Sequence, residues 1–164
     1  MKLLACLPLL LISMPTPASA QIQGAPIFVS GICNPKSGVT IDDRTSRFWC
    51  DSAVVVRTQR GTVLIQFTDK KGDDGRILGF AGTIEGRQGF GADPLQVMAV
   101  ERIYLAGGAE PIAAVRGTCM MTWSGLQRKG GHLESIVCGG RGSAAGSVVQ
   151  AMGIIQAGRT LSKR

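Results

Sequence analysis

The sequence predicts an all-β protein: an antiparallel meander that forms a small sandwich or barrel and carries two disulfides. Three observations point there. Several short segments alternate apolar and polar residues, the period of a half-buried strand. Turn signals rich in glycine and charge separate these segments. Four cysteines fall in two close pairs, Cys33 with Cys50 and Cys119 with Cys138. No window of the central region holds a sustained 3.6-residue period.

Composition sets the outer bounds. The chain has 164 residues, of which 45% are hydrophobic and 18% charged. It is too apolar to be disordered, because it can bury enough surface to offset chain entropy. It has 23 glycines but no three-residue repeat, which excludes a collagen-like rod. One domain is the expectation at this length.

Residues 1–20 read as a signal peptide. Lys2 precedes an apolar run from Leu3 to Ile12, and Ala18-Ser19-Ala20 offers a small-residue cleavage site before Gln21. Ten apolar residues make a helix of about 15 Å, half of what a hydrocarbon core requires. A chain so processed is exported, to a periplasm or outside the cell, and does not span a membrane. Cleavage removes one lysine and no acid, so the formal charge falls from +7 to +6.

Residues 21–140 then form the β domain. Pro26–Ser30 reads as a short edge strand. Phe48–Arg57 is β-branched toward its end, and Gly61 closes a turn after it. Thr62–Thr68 places Val63, Ile65 and Phe67 on one face. Arg76–Glu85 places Leu78, Phe80 and Ile84 together, and its interior Gly79 and Gly82 signal a bulge or a close backbone approach. Leu95–Leu105 is apolar on both faces in its middle, as a central strand would be. Ile112–Trp123 and Leu133–Cys138 complete the set. Residues 141–164 read as a flexible tail. GGRGSAAGS begins it, and a short amphipathic helix follows from Ser147, with Val148, Met152 and Ile155 on one face.

Cysteine use agrees with export. An even number after cleavage implies two disulfides, and sequential pairing closes two loops of under twenty residues. If Cys119 faces Cys138 in a hairpin, Met121 faces Ile136 and Trp123 faces Glu134. The turn then falls in Gly125–Gly131, where the turn residues are. There is no C-x-x-C, and the single histidine, His132, is not spaced for a zinc site. Nothing calls for a metal or another cofactor.

No catalytic constellation stands out. The pairs Asp42-Asp43 and Asp73-Asp74 sit in turn-like sequence and read as solvated acids. G-x-S-x-G is absent, which leaves His132 without a nucleophile to serve. The glycines of GRQGFG lack the strand–loop–helix context of a phosphate loop. Phe90, between two of them, is either an anchor under its loop or a residue presented to a partner.

Charge is the remaining clue. In a meander, alternate turns share one end. That end collects Arg57, Arg60, Arg87, Arg128 and Lys129 against Glu85 and Asp93. A basic rim of this kind attracts acidic proteins or anionic envelope components. Few aromatics are present for base stacking, so nucleic acid is not the expected partner. The functional expectation is a non-enzymatic binding or structural module of the cell envelope, with this rim and Phe90 at the contact. The alternatives are a small hydrolase using Glu85, Glu101 or Asp43, or a barrel that carries a hydrophobic ligand.

Overall fold

A computed structural model describes residues 25–69, 77–88, 95–105, 110–124 and 132–158. They form ten strands and no helix: β1 (Ile27–Cys33), β2 (Gly38–Ile41), β3 (Arg44–Arg47), β4 (Ser52–Arg57), β5 (Thr62–Thr68), β6 (Ile77–Gln88), β7 (Leu95–Leu105), β8 (Ile112–Ser124), β9 (His132–Ala144) and β10 (Ser147–Ala157). Every pairing is antiparallel, and strands β4 to β10 follow one another in sequence order. β1 pairs with β4 on one side and with β10 on the other, so the sheet closes on itself. The all-β meander with two disulfides is observed, and its closure makes it a barrel.

Ten strands make eight columns around this ring. β1 and β2 lie end to end along β10, with Gly31–Cys33 opposite Ala157–Ile155 and Gly38–Ile41 opposite Met152–Val149. β3 and β4 run back beside them. The break at Pro35 is bridged by a side chain: the Ser37 hydroxyl accepts from the Ile154 N–H at 3.0 Å. The Cys33–Cys50 disulfide and a 3.0 Å backbone bond between the same residues hold the two columns together at this point. An eight-column barrel is just wide enough for its own side chains to fill.

They do fill it. Phe67, Phe80, Ile65, Met98, Ile103, Met121, Ile136 and Ile155 are all fully buried. Phe67 and Phe80 meet edge to face at 6.0 Å. Burial of each such side chain contributes roughly 1.5–3 kcal/mol. Gly153 on β10 makes room for Phe67: a Cβ there would lie 2.6 Å from its Cε2.

Three expectations need correction. Ser147–Ala157 is a strand, not a helix, and the supposed linker before it is the second half of β9. Val149, Ala151, Gly153 and Ile155 are buried at every second position, a period of two that the helical reading overlooked. Ala145 (φ 50°) and Gly146 (φ 84°) form the tight turn that folds β10 back on β9. Second, β1 runs beyond Ser30 to Cys33: Ile27–Ser30 pairs with β4, and Gly31–Cys33 pairs with β10 and closes the sheet. Third, Cys119 does face Cys138 and Met121 does face Ile136, but Trp123 faces Leu133 rather than Glu134. A bulge after Thr122 absorbs one residue, which lets Leu133 and Ile136, three apart, both point inward. The sequence reading also missed β2 and β3. Their turn is Asp42-Asp43, with φ 44° and 67°, the positive values a two-residue type I′ hairpin requires.

Candidate functional site

One end of the barrel departs from the apolar rule. In β4, Ala53 and Val55 point inward, and Arg57 continues the same alternation. In β7, Met98 and Val100 point inward, and Gln96 precedes them on the same face. In β8, Cys119 and Met121 point inward, and Trp123 follows. Pairing brings these strand ends to a common level, because Arg57 lies opposite Val63, Arg87 opposite Gln96, and Gln96 opposite Met121.

The three side chains meet at one atom. Gln96 is only 4% exposed. Its Oε1 accepts from Arg57 Nη2 at 3.0 Å and from Trp123 Nε1 at 3.1 Å. Both lone pairs of that oxygen are thereby used, and the amide fixes the guanidinium and the indole together. Arg57 is half-buried, and among the described residues no carboxylate pairs with it. One neutral partner leaves most of its five N–H donors open. The adjacent Thr58 Oγ1 is buried without a hydrogen-bond partner. A half-desolvated cation with spare donors attracts an anion more strongly than the same cation in bulk water.

Arg57 joins the cluster, and Arg60 lies exposed in the following turn at the same end. The Arg87 backbone pairs with Gln96 there. Phe90, Arg128 and Lys129 lie outside the described residues, as do Asp73 and Asp74. Sequence reasoning missed Gln96 and Trp123 as members of the site. The signal was available: Gln96 breaks the apolar face set by Met98 and Val100.

The alternative carboxylates do not converge. Glu85 and Glu101 are skipped residues at the two register shifts between β6 and β7, and both are exposed. Glu101 accepts a hydrogen bond from Thr83 at 2.9 Å. Asp43 sits in the β2–β3 turn, and His132 is exposed at the start of β9. Among the described residues, no three His, Cys, Asp or Glu side chains gather where they could hold a metal ion.

A shallow groove of about 500 Å³ lies at the β2–β3 hairpin, lined by Val39, Ile41, Asp42, Arg44 and Ser46. Its carboxylate is already engaged. Hydrogen bonds from the Ser147 side chain and from the Val148 N–H, the latter at 2.9 Å, hold Asp42 below its ordinary pKa of 3.8. That contact ties the hairpin turn to the start of β10.

The chain matches no family model, no curated protein and no solved structure. The two disulfides are consistent with an oxidising environment. No helix among the described residues is long and apolar enough to cross a membrane.

Proposed function

We propose that the protein is an exported, non-enzymatic binding module that receives an anionic group of its partner at the Arg57 end of the barrel. The observation that carries this reading is the Arg57 guanidinium, turned inward, held by the neutral amide of Gln96, and paired with no carboxylate among the described residues. Trp123 supplies an apolar wall beside it, and Arg60 adds exposed positive charge at the same end. A carboxylate-bearing protein partner suits this combination, because the planar guanidinium fork donates to both oxygens of a carboxylate. Residues 1–20 act as the signal peptide that delivers the chain to an oxidising compartment. The packed interior favours an outward-facing recognition role over carriage of an apolar ligand within the barrel.

The test uses the chain from Gln21 onward with Trp49→Phe, so that emission reports Trp123 alone. The probe is a ten-residue glutamate peptide. Binding should change the emission and weaken as salt rises. Arg57→Gln should weaken it at least tenfold, and Arg60→Ser less. Equal affinity in Arg57→Gln, or no response to the peptide, defeats the reading.

A further inference from the structure

The outer wall carries a second feature, independent of the barrel end. Arg116 on β8 lies directly opposite Arg141 on β9, and Arg141 lies directly opposite Gln150 on β10. All three side chains are exposed. Like charges on directly opposed strand positions disfavour a sheet, and a carboxylate at either position would relieve the repulsion. None is used here. The acid of β7, Glu101, accepts a hydrogen bond from Thr83 on its far side, on β6. Neither arginine has an ion-pair partner among the described residues.

The neighbours extend the same donor chemistry. Thr118, exposed and one outward step from Arg116, lies opposite Gly139. With no side chain at Gly139, nothing but the Ala151 carbonyl oxygen, 4.0 Å away, comes near a Cβ built there. Thr118 and Met152 flank Gly139 in its own row, and Arg116, Arg141 and Gln150 form the neighbouring outward row. Directly opposed Cα atoms on antiparallel strands are about 4.5–5.5 Å apart, so two flexible arginines reach a single ligand atom group. A tetrahedral oxyanion offers each of them a pair of acceptor oxygens.

We infer that Arg116 and Arg141 form a phosphate-type oxyanion site, with Thr118 and Gln150 as supporting donors. The bound group is a phosphate monoester or diester, carried either on a lipid headgroup or on a small soluble molecule. The anion takes the place of the missing carboxylate and converts a repulsive pair into an attractive triad.

The experiment follows backbone amide resonances of the chain from Gln21 onward. Sodium phosphate is titrated at constant ionic strength against sodium chloride. Phosphate should produce saturable shifts at Arg116, Thr118, Arg141 and Gln150, and chloride should not. Arg116→Gln and Arg141→Gln should each raise the phosphate Kd at least fivefold, whereas Lys36→Gln, at an exposed lysine of the β1–β2 turn, should leave it unchanged. Arg141→Glu should abolish the shifts and raise the melting temperature in phosphate-free buffer, which also shows that the variant folds. Co-sedimentation with phosphatidylglycerol vesicles, compared with phosphatidylcholine, assigns the phosphate to lipid if binding is lost in Arg141→Glu. Binding to free phosphate alone assigns it to a soluble ligand. Shifts that chloride reproduces, or that survive both glutamine substitutions, overturn the site.

Discussion

The inward face of the barrel changes character along its axis. Phe67, Phe80, Ile65, Met98 and Ile103 make an apolar, fully buried interior with no hydrogen-bonding side-chain group to satisfy. At one end the same inward positions hold Arg57, Gln96 and Trp123, and each has a hydrogen-bond role. The alternation of the strands is identical in both regions; only the residue types differ. The middle is built to exclude water and to fix the radius. The end uses that fixed radius to hold a cation in a defined place. Stability and the proposed recognition therefore fall to different residues, and substitutions should separate them.

The largest effect belongs to the middle. Phe67→Ala should cost about 3–5 kcal/mol, read as a lower urea midpoint, because the opposing Gly153 offers no side chain to refill the space. Binding at the Arg57 end should survive wherever the variant is still folded. A loss of affinity larger than the unfolded fraction explains would show that the two regions are coupled.

Next comes the wall. Replacing Cys119 and Cys138 together by alanine opens a bridge across 19 residues of sequence and should cost about 3 kcal/mol. The Cys33–Cys50 bridge spans 17 residues and should contribute similarly. If one proved far weaker than the other under guanidinium titration, native-state geometry rather than loop entropy would be setting its contribution.

Gln96→Leu probes the boundary between the regions. It strands the Arg57 and Trp123 donors and should cost about 1–3 kcal/mol while also reducing affinity for the glutamate peptide. Arg57→Gln, by contrast, should spare stability and remove affinity. Identical behaviour of the two variants would erase the distinction between a positioning amide and a binding cation.

The smallest effect lies at the opposite end, at Asp42. Its pKa is depressed in the folded state, so its contribution is present above the ordinary carboxylate pKa of 3.8 and is lost as pH falls through the lower folded value. The Val148 amide proton should shift in that acidic window, and Asp42→Asn should remove the transition while it keeps the turn. A Val148 shift that persists in Asp42→Asn would place the titrating group elsewhere.

Much of the architecture was legible because strand periodicity and cysteine spacing are local signals. Leu95–Leu105 was read with both boundaries correct, and two rungs of the β8–β9 ladder followed from the cysteines alone. The third rung slipped because a bulge depends on which residues the far wall needs, not on the hairpin itself. The last strand was misread for a related reason. Gly153 looks like a defect in a helix, and only the position of Phe67 across the barrel shows why glycine is there. The hairpin Gly38–Arg47 was hidden by its polarity: β3 is exposed at every position and buries nothing that a hydropathy pattern could register. The Arg57–Gln96–Trp123 cluster was half visible. Arg57 entered through its charge, but Gln96 and Trp123 became relevant only when closure brought strands β4, β7 and β8 around one axis.

Closure has one further consequence. Since β1 zips onto β10, and the Gly158 N–H donates to the Ser30 carbonyl at 2.9 Å, the order of the columns is cyclic. No seam is privileged. A chain cut at the Ala145-Gly146 turn and spliced between the outer flanks of β10 and β1 by a short linker would present the same circle of neighbours from a new starting point.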